Sequence, residues 1–130
     1  SEVIEHIVDT DFFVSEIYRI LKPQGHAILT TPNLYYWLSR IKFLFRQTPW
    51  NHPGVSPEFK LNRNVNTEHI RVNGMNEWAA FFESRGFQIL LTQGLPWVVP
   101  NTFKCCVIYA IDLMMPKNAQ CLGLFLLKKA

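Results

Sequence analysis

The sequence is short of the residues that build self-contained cofactor and metal cages. Its 130 residues include three cysteines, adjacent at Cys105 and Cys106 and alone at Cys121. This pattern gives neither a disulfide framework nor a metal-type C-x-x-C spacing, so reduced, buried, cytosolic thiols are expected. The six glycines never form G-x-G, which leaves no phosphate-cradling loop, and neither H-E-x-x-H nor a Ser/His/Asp order occurs. A net charge of +3 is too mild to argue nucleic-acid binding. The longest apolar stretches, 34–45 and 103–115, fall short of the ~20 residues that cross a bilayer, and each carries charge. No signal peptide, repeat or low-complexity segment is visible.

What is present is enough for one core: 48% of residues are hydrophobic and 14% aromatic, too apolar for a disordered chain. The chain starts with Ser rather than Met, and apolar periodicity begins at Val3, Ile4 and Ile7 without a lead-in, which reads as a truncated N-terminus.

Asp9 is placed to cap a helix running to about Leu21, with Phe13, Ile17, Ile20 and Leu21 on one stripe. Lys22-Pro23-Gln24-Gly25 ends it, and residues 26–31 read as a strand stopped by Pro32-Asn33. Residues 34–45 suggest an amphipathic helix with Leu34, Trp37, Leu38, Ile41, Leu44 and Phe45 on its inner side. The segment 47–66 is long and irregular, as lids and binding loops are, so 34–66 is a candidate lid or substrate-binding insertion with Trp37, Arg40, Trp50 and His52 as its functional side chains. A further helix fits Met75–Arg85, capped by Asn73 and closed by Gly86 at C′. A strand over 87–92, a helix from Asn101 or Thr102 to Pro116, and a final strand over 121–127, apolar enough to be buried on both faces, complete the chain.

Glu2, Glu5 and His6 stand at i, i+3 and i+4, one helical face if a turn begins near Ser1. Two carboxylates and an imidazole are a workable set for a divalent ion, with His69 the best fourth ligand. The competing reading has Glu5 and His6 merely capping a turn. His52 reads as a loop histidine or a base, and His26 as structural. The run Tyr35, Tyr36, Trp37, Arg40, Lys42, Phe43, Phe45, Arg46 has three readings: a helix covering the core, a lid over a greasy substrate, or an interfacial membrane helix.

The segment Glu2-Val3-Ile4-Glu5-His6, the turn Leu21-Lys22-Pro23-Gln24-Gly25 (LKPGG with one glycine replaced) and Thr30-Thr31-Pro32-Asn33 resemble, in that order, the second half of a class I S-adenosylmethionine-dependent methyltransferase. The resemblance covers nearly the whole chain. It implies an α/β fold, the C-terminal half of a Rossmann-like sheet of order 3-2-1-4-5-7-6, with strands 5, 6 and 7 here, the last antiparallel, and the N-terminal half absent. It implies S-adenosylmethionine as cofactor, held mostly by residues before Ser1, with only Ser1 and Glu2 near it, so that residues 1–130 alone would be inactive.

Two branches, ubiquinone-pathway O-methyltransferases and small-RNA 3′-terminal 2′-O-methyltransferases, have an E-x-x-E-H segment that binds a divalent ion such as Mg. Their pattern matches Glu2, Glu5 and His6; the RNA branch adds a later histidine, for which His69 is the candidate. The implied activity is O-methylation of a small-molecule, lipid or glycan acceptor in the cytoplasm. Alternatives are a metal-dependent RNA 3′-end methyltransferase and a non-catalytic binding module of the same fold. Peripheral membrane contact is an open partner class.

Overall fold

The computed structural model describes residues 2–47, 69–96, 102–115, 120 and 122–129. A single helical turn, Ile4–His6, precedes helix α1 (Thr10–Ile20) and strand β1 (His26–Pro32). Helices α2 (Trp37–Leu44) and α3 (Met75–Ser84), strand β2 (Phe87–Leu95), helix α4 (Phe103–Met114) and strand β3 (Leu122–Lys129) follow. The expected α/β class is observed.

Local chemistry sets the boundaries. The Asp9 carboxylate accepts from the Phe12 amide at 2.9 Å and starts α1, as a cap should. Thr102 does the same for α4, accepting from the Cys105 amide at 3.2 Å. The residue before α3 is Gly74, which makes no side-chain cap, so Asn73 is not the cap the sequence suggested. Gly86 closes that helix with φ of 88°, a left-handed conformation that favours glycine.

The strands form one sheet of order β1-β3-β2, with β3 antiparallel to both neighbours. Ala27, Leu29 and Thr31 face the same side as Leu127, Phe125 and Gly123, their register partners. A shift in register between Ile89 and Leu91 marks a bulge in β2. Against this side pack Val14 of α1 and Met75, Trp78 and Phe82 of α3, forming with Ile4, Leu29, Phe87, Phe125 and Leu127 a single buried cluster. Trp78 and Phe82 stack at 5.8 Å, while Phe82 meets Phe125 edge-on at 5.3 Å; such pairs add roughly 0.5–1.5 kcal/mol each to simple burial. A side chain at Gly123 would come within 3.0 Å of Met75 and 3.2 Å of the Phe125 ring, so its absence lets α3 approach the sheet.

Several expectations fail. Strand β3 is not buried on both faces: Gly123, Phe125 and Leu127 are buried, whereas Leu122, Leu124 and Leu126 are half-buried. The cause is that α1 and α3 cover one side of the sheet, while on the other Ile28 stays 66% exposed and Leu91 44% exposed. Helix α2 is shorter than 34–45, and Ile41, Leu44 and Phe45 point outward. Tyr36 and Ser39 take the inner side instead, drawn by a polar network described below. The cysteines also differ from expectation: Cys105 is half-buried and Cys106 exposed, both free, and Cys121 lies outside the described residues.

Among the described residues, no helix is long and apolar enough to cross a membrane.

Candidate functional site

The turn at Ile4–His6 sits against the end of β1, where the Glu2 amide donates to the Thr30 carbonyl at 3.1 Å. Apolar Ile4 anchors it in the core, and Glu5 beside it is fully buried. The amides of Ile70 and Arg71 both donate to the Glu5 carbonyl, at 2.8 and 3.1 Å, and the Arg71 guanidinium donates to the Val8 carbonyl at 2.7 Å. This backbone clamp holds His69 beside the turn, next to His6, from which 63 positions separate it in the chain (69 − 6).

The ligand atoms of Glu5, His6 and His69 lie within 4.8 Å of one another. His6 Nε2 is 3.7 Å from Glu5 Oε1, and the two imidazoles stand 4.9 Å apart. Neither carboxylate oxygen of Glu5 has a hydrogen-bond partner among the described residues. Burial pushes the Glu5 carboxyl above the usual carboxylate range; its own backbone amide opposes this, the nearby Glu2 adds to it, and His6 and His69 oppose it. A buried carboxylate without donors is costly unless a cation meets it.

Glu2 differs from expectation. Its φ of 51° and position before the turn take it off any helical face shared with Glu5 and His6. It stays near enough to repel Glu5, and its Oε1 is buried without a partner among the described residues, but it is not one of the three clustered ligands.

The lid residues fall elsewhere. Trp37 donates its indole N–H to Asp112 of α4 at 2.5 Å. Arg40 is exposed, donates to the Tyr35 carbonyl at 2.8 Å and lies 6.0 Å from the Tyr35 ring. Ser1, Trp50 and His52 lie outside the described residues, as does most of 47–66.

A second buried polar group escaped sequence reasoning. Asp112 is fully buried; burial pushes its carboxyl up, against hydrogen bonds from Trp37 and Tyr36. Gln120 donates to the Asp112 carbonyl at 2.9 Å, and Asn33 donates to the Gln120 carbonyl at 2.8 Å. The network ties the end of β1 to α2, α4 and the approach to β3. Its signal was available, since Asp112 is the one acid in a helix that is otherwise apolar apart from Lys104 and Tyr109.

No family model matches the chain. A curated protein of Mycolicibacterium smegmatis, named as a probable S-adenosylmethionine-dependent methyltransferase, is 33% identical over 95 residues. The match takes in 72% of this chain and 29% of that protein. The chain thus spans less than a third of the relative's length, and the likeness supports kinship with S-adenosylmethionine-dependent methyltransferases.

Proposed function

We propose that this chain is part of a divalent-metal-assisted O-methyltransferase that uses S-adenosylmethionine, with a lipid-like or other small hydroxylated acceptor. The observation that carries the reading is Glu5: a fully buried carboxylate with both oxygens unpartnered among the described residues, flanked by His6 and His69. One carboxylate and two imidazoles suit a borderline ion such as Mn²⁺, Fe²⁺ or Zn²⁺ better than Mg²⁺, which prefers oxygen alone. The residues therefore fit a metal, held by Glu5, His6 and His69 with Glu2 adjacent. A divalent ion bound there would lower the pKa of an acceptor hydroxyl.

The chain's own residues orient and dry the site. Ile4 excludes water from beneath Glu5, and the Ile70–Arg71 clamp fixes His69. His6 is 30% exposed at its side chain, so the cluster is open to solvent on that side. Methyl transfer itself then depends on proximity and alignment. The order β1-β3-β2 with β3 antiparallel is compatible with strands 5, 7 and 6 of a class I methyltransferase sheet. The described residues do not form a cradle for S-adenosylmethionine by themselves: Ser1 lies outside them, and Glu2 alone is a single edge of such a pocket. Residues 1–130 in isolation are accordingly proposed to be inactive.

The test is isothermal titration of Mn²⁺ and Mg²⁺ into the full-length protein, paired with methyl transfer before and after chelation. Binding and chelator-sensitive turnover, both lost in Glu5→Ala with His6→Ala, are expected; unchanged turnover in that variant would remove the metal from the mechanism. Because His69 joins the cluster, as in the RNA branch, a small-RNA 3′ end is the second acceptor to assay.

A further inference from the structure

Two helices wear their large apolar side chains on the outside. On α4, Phe103, Cys106, Val107, Ala110, Leu113 and Met114 are exposed and recur at helical spacing, so the solvent-facing stripe is apolar from end to end. Helix α2 and its C-terminal cap do the same with Ile41, Phe43, Leu44 and Phe45. The exposures are high: 86% for Phe103, 83% for Met114 and 81% for Leu44. Single exposed apolar residues are ordinary, but a run of them across two neighbouring helices marks an interaction surface. An apolar groove of about 660 Å³ joins the helices, lined by Leu38 and Lys42 on one side and Phe103, Lys104, Val107 and Ile108 on the other.

Charge selects the occupant. Arg40, Lys42, Arg46 and Lys104 stand on or beside these helices, and their long stems can lie along apolar surface while the cationic ends reach outward. Among the described residues of 35–47 and 102–115, the one acid is Asp112, and it is buried and hydrogen-bonded to Trp37. These two segments thus present large apolar groups edged by cations with no exposed acid of their own among the described residues, Glu77 reaching only the Tyr35 end at 3.2 Å, and that pattern complements lipid acyl chains beneath phosphate headgroups.

We infer that the α2–α4 surface docks on an anionic phospholipid bilayer, burying Leu44, Phe45, Phe103 and Met114 at the headgroup boundary with Arg40, Arg46 and Lys104 against lipid phosphates. The inference stands apart from the proposed reaction, since it uses neither Glu5 nor its histidines.

Co-sedimentation of the full-length protein with phosphatidylcholine vesicles, with and without phosphatidylglycerol, tests it. Partitioning is expected to be about tenfold or more stronger on the phosphatidylglycerol vesicles at low salt, and to weaken as salt is raised. Leu44→Glu with Phe103→Glu should lower it by about tenfold or more. Arg40→Gln with Arg46→Gln should cost about fivefold per charge removed, with the apolar face intact. Absence of vesicle binding, indifference to phosphatidylglycerol, or equal binding by the glutamate variant would overturn the inference. So would a dimer that the glutamate variant dissociates without any vesicle binding, since a second copy would then be the occupant. Circular dichroism checks the variants; a glutamate variant that fails to fold would place those side chains inside the protein and equally overturn it.

Discussion

Glu5 is a carboxylate held in a dry place with neither oxygen hydrogen-bonded among the described residues, and its titration should be visible in stability. Its folded pKa lies above the ordinary 4.5, so the folded state binds this proton more tightly than the unfolded state. That contribution is complete below pH 4.5 and is lost as pH rises through the raised value. In chelator, then, the wild-type protein should lose stability over that window while Glu5→Gln should not, as read by urea denaturation across pH. Saturating Mn²⁺ should reverse the order: a hundredfold excess over Kd stabilises by about 2.7 kcal/mol, an increase in Tm on the order of 10 °C, which Glu5→Gln should lack. Glu5 and His6 were legible because adjacent acid and imidazole in E-x-x-E-H are an unusual word in an apolar stretch. Glu2 was misplaced because a positive φ at a non-glycine residue leaves no trace in spacing. The third residue of the cluster, His69, was named from its chemistry; the clamp from Ile70 and Arg71 that delivers it is made of backbone amides, and side-chain identity does not encode those.

Helix α3 followed its apolar stripe, with Trp78 and Phe82 buried, and α1 did so in part: Asp9 caps it and Phe13, Ile17 and Leu21 pack against the core, but Val14 is its buried apolar residue and Ile20 is 67% exposed. Helix α2 did not, and the reason is polar. Counting apolar positions put Ile41 and Leu44 inside, but Trp37 and Tyr36 reach Asp112, and this turns the helix so that Ser39 is buried and Leu44 exposed. Asp112 therefore acts as the tether between α2 and α4. Trp37→Phe keeps the ring and removes the indole donor, leaving a buried carboxylate with fewer partners. It should destabilise the protein by about 1–3 kcal/mol, seen as a lower urea midpoint with an unchanged slope.

At the scale of the whole molecule, the three-stranded sheet of order β1-β3-β2 is compatible with the partial methyltransferase fold that the resemblance implied, and composition alone would not have given it. The uncovered side of the sheet carries Ile28, Leu91 and Leu126 in neighbouring register positions. Residues 1–130 expressed alone should self-associate in a concentration-dependent way, and Ile28→Lys should suppress this, as followed by sedimentation velocity. The position of β3 carries one more consequence. Strands β1 and β2 do not pair with each other; each pairs with β3, the latest of the three in chain order, and His26 waits for Lys128 across a separation of about a hundred residues. On the ribosome, the edges of β1 and β2 that pair with β3 must be carried with their amides and carbonyls unmatched until β3 emerges from the exit tunnel. A reading frame broken between Leu95 and Leu122 thus leaves both of those edges unmatched, and late in synthesis they are the surfaces that a chaperone would have to shield.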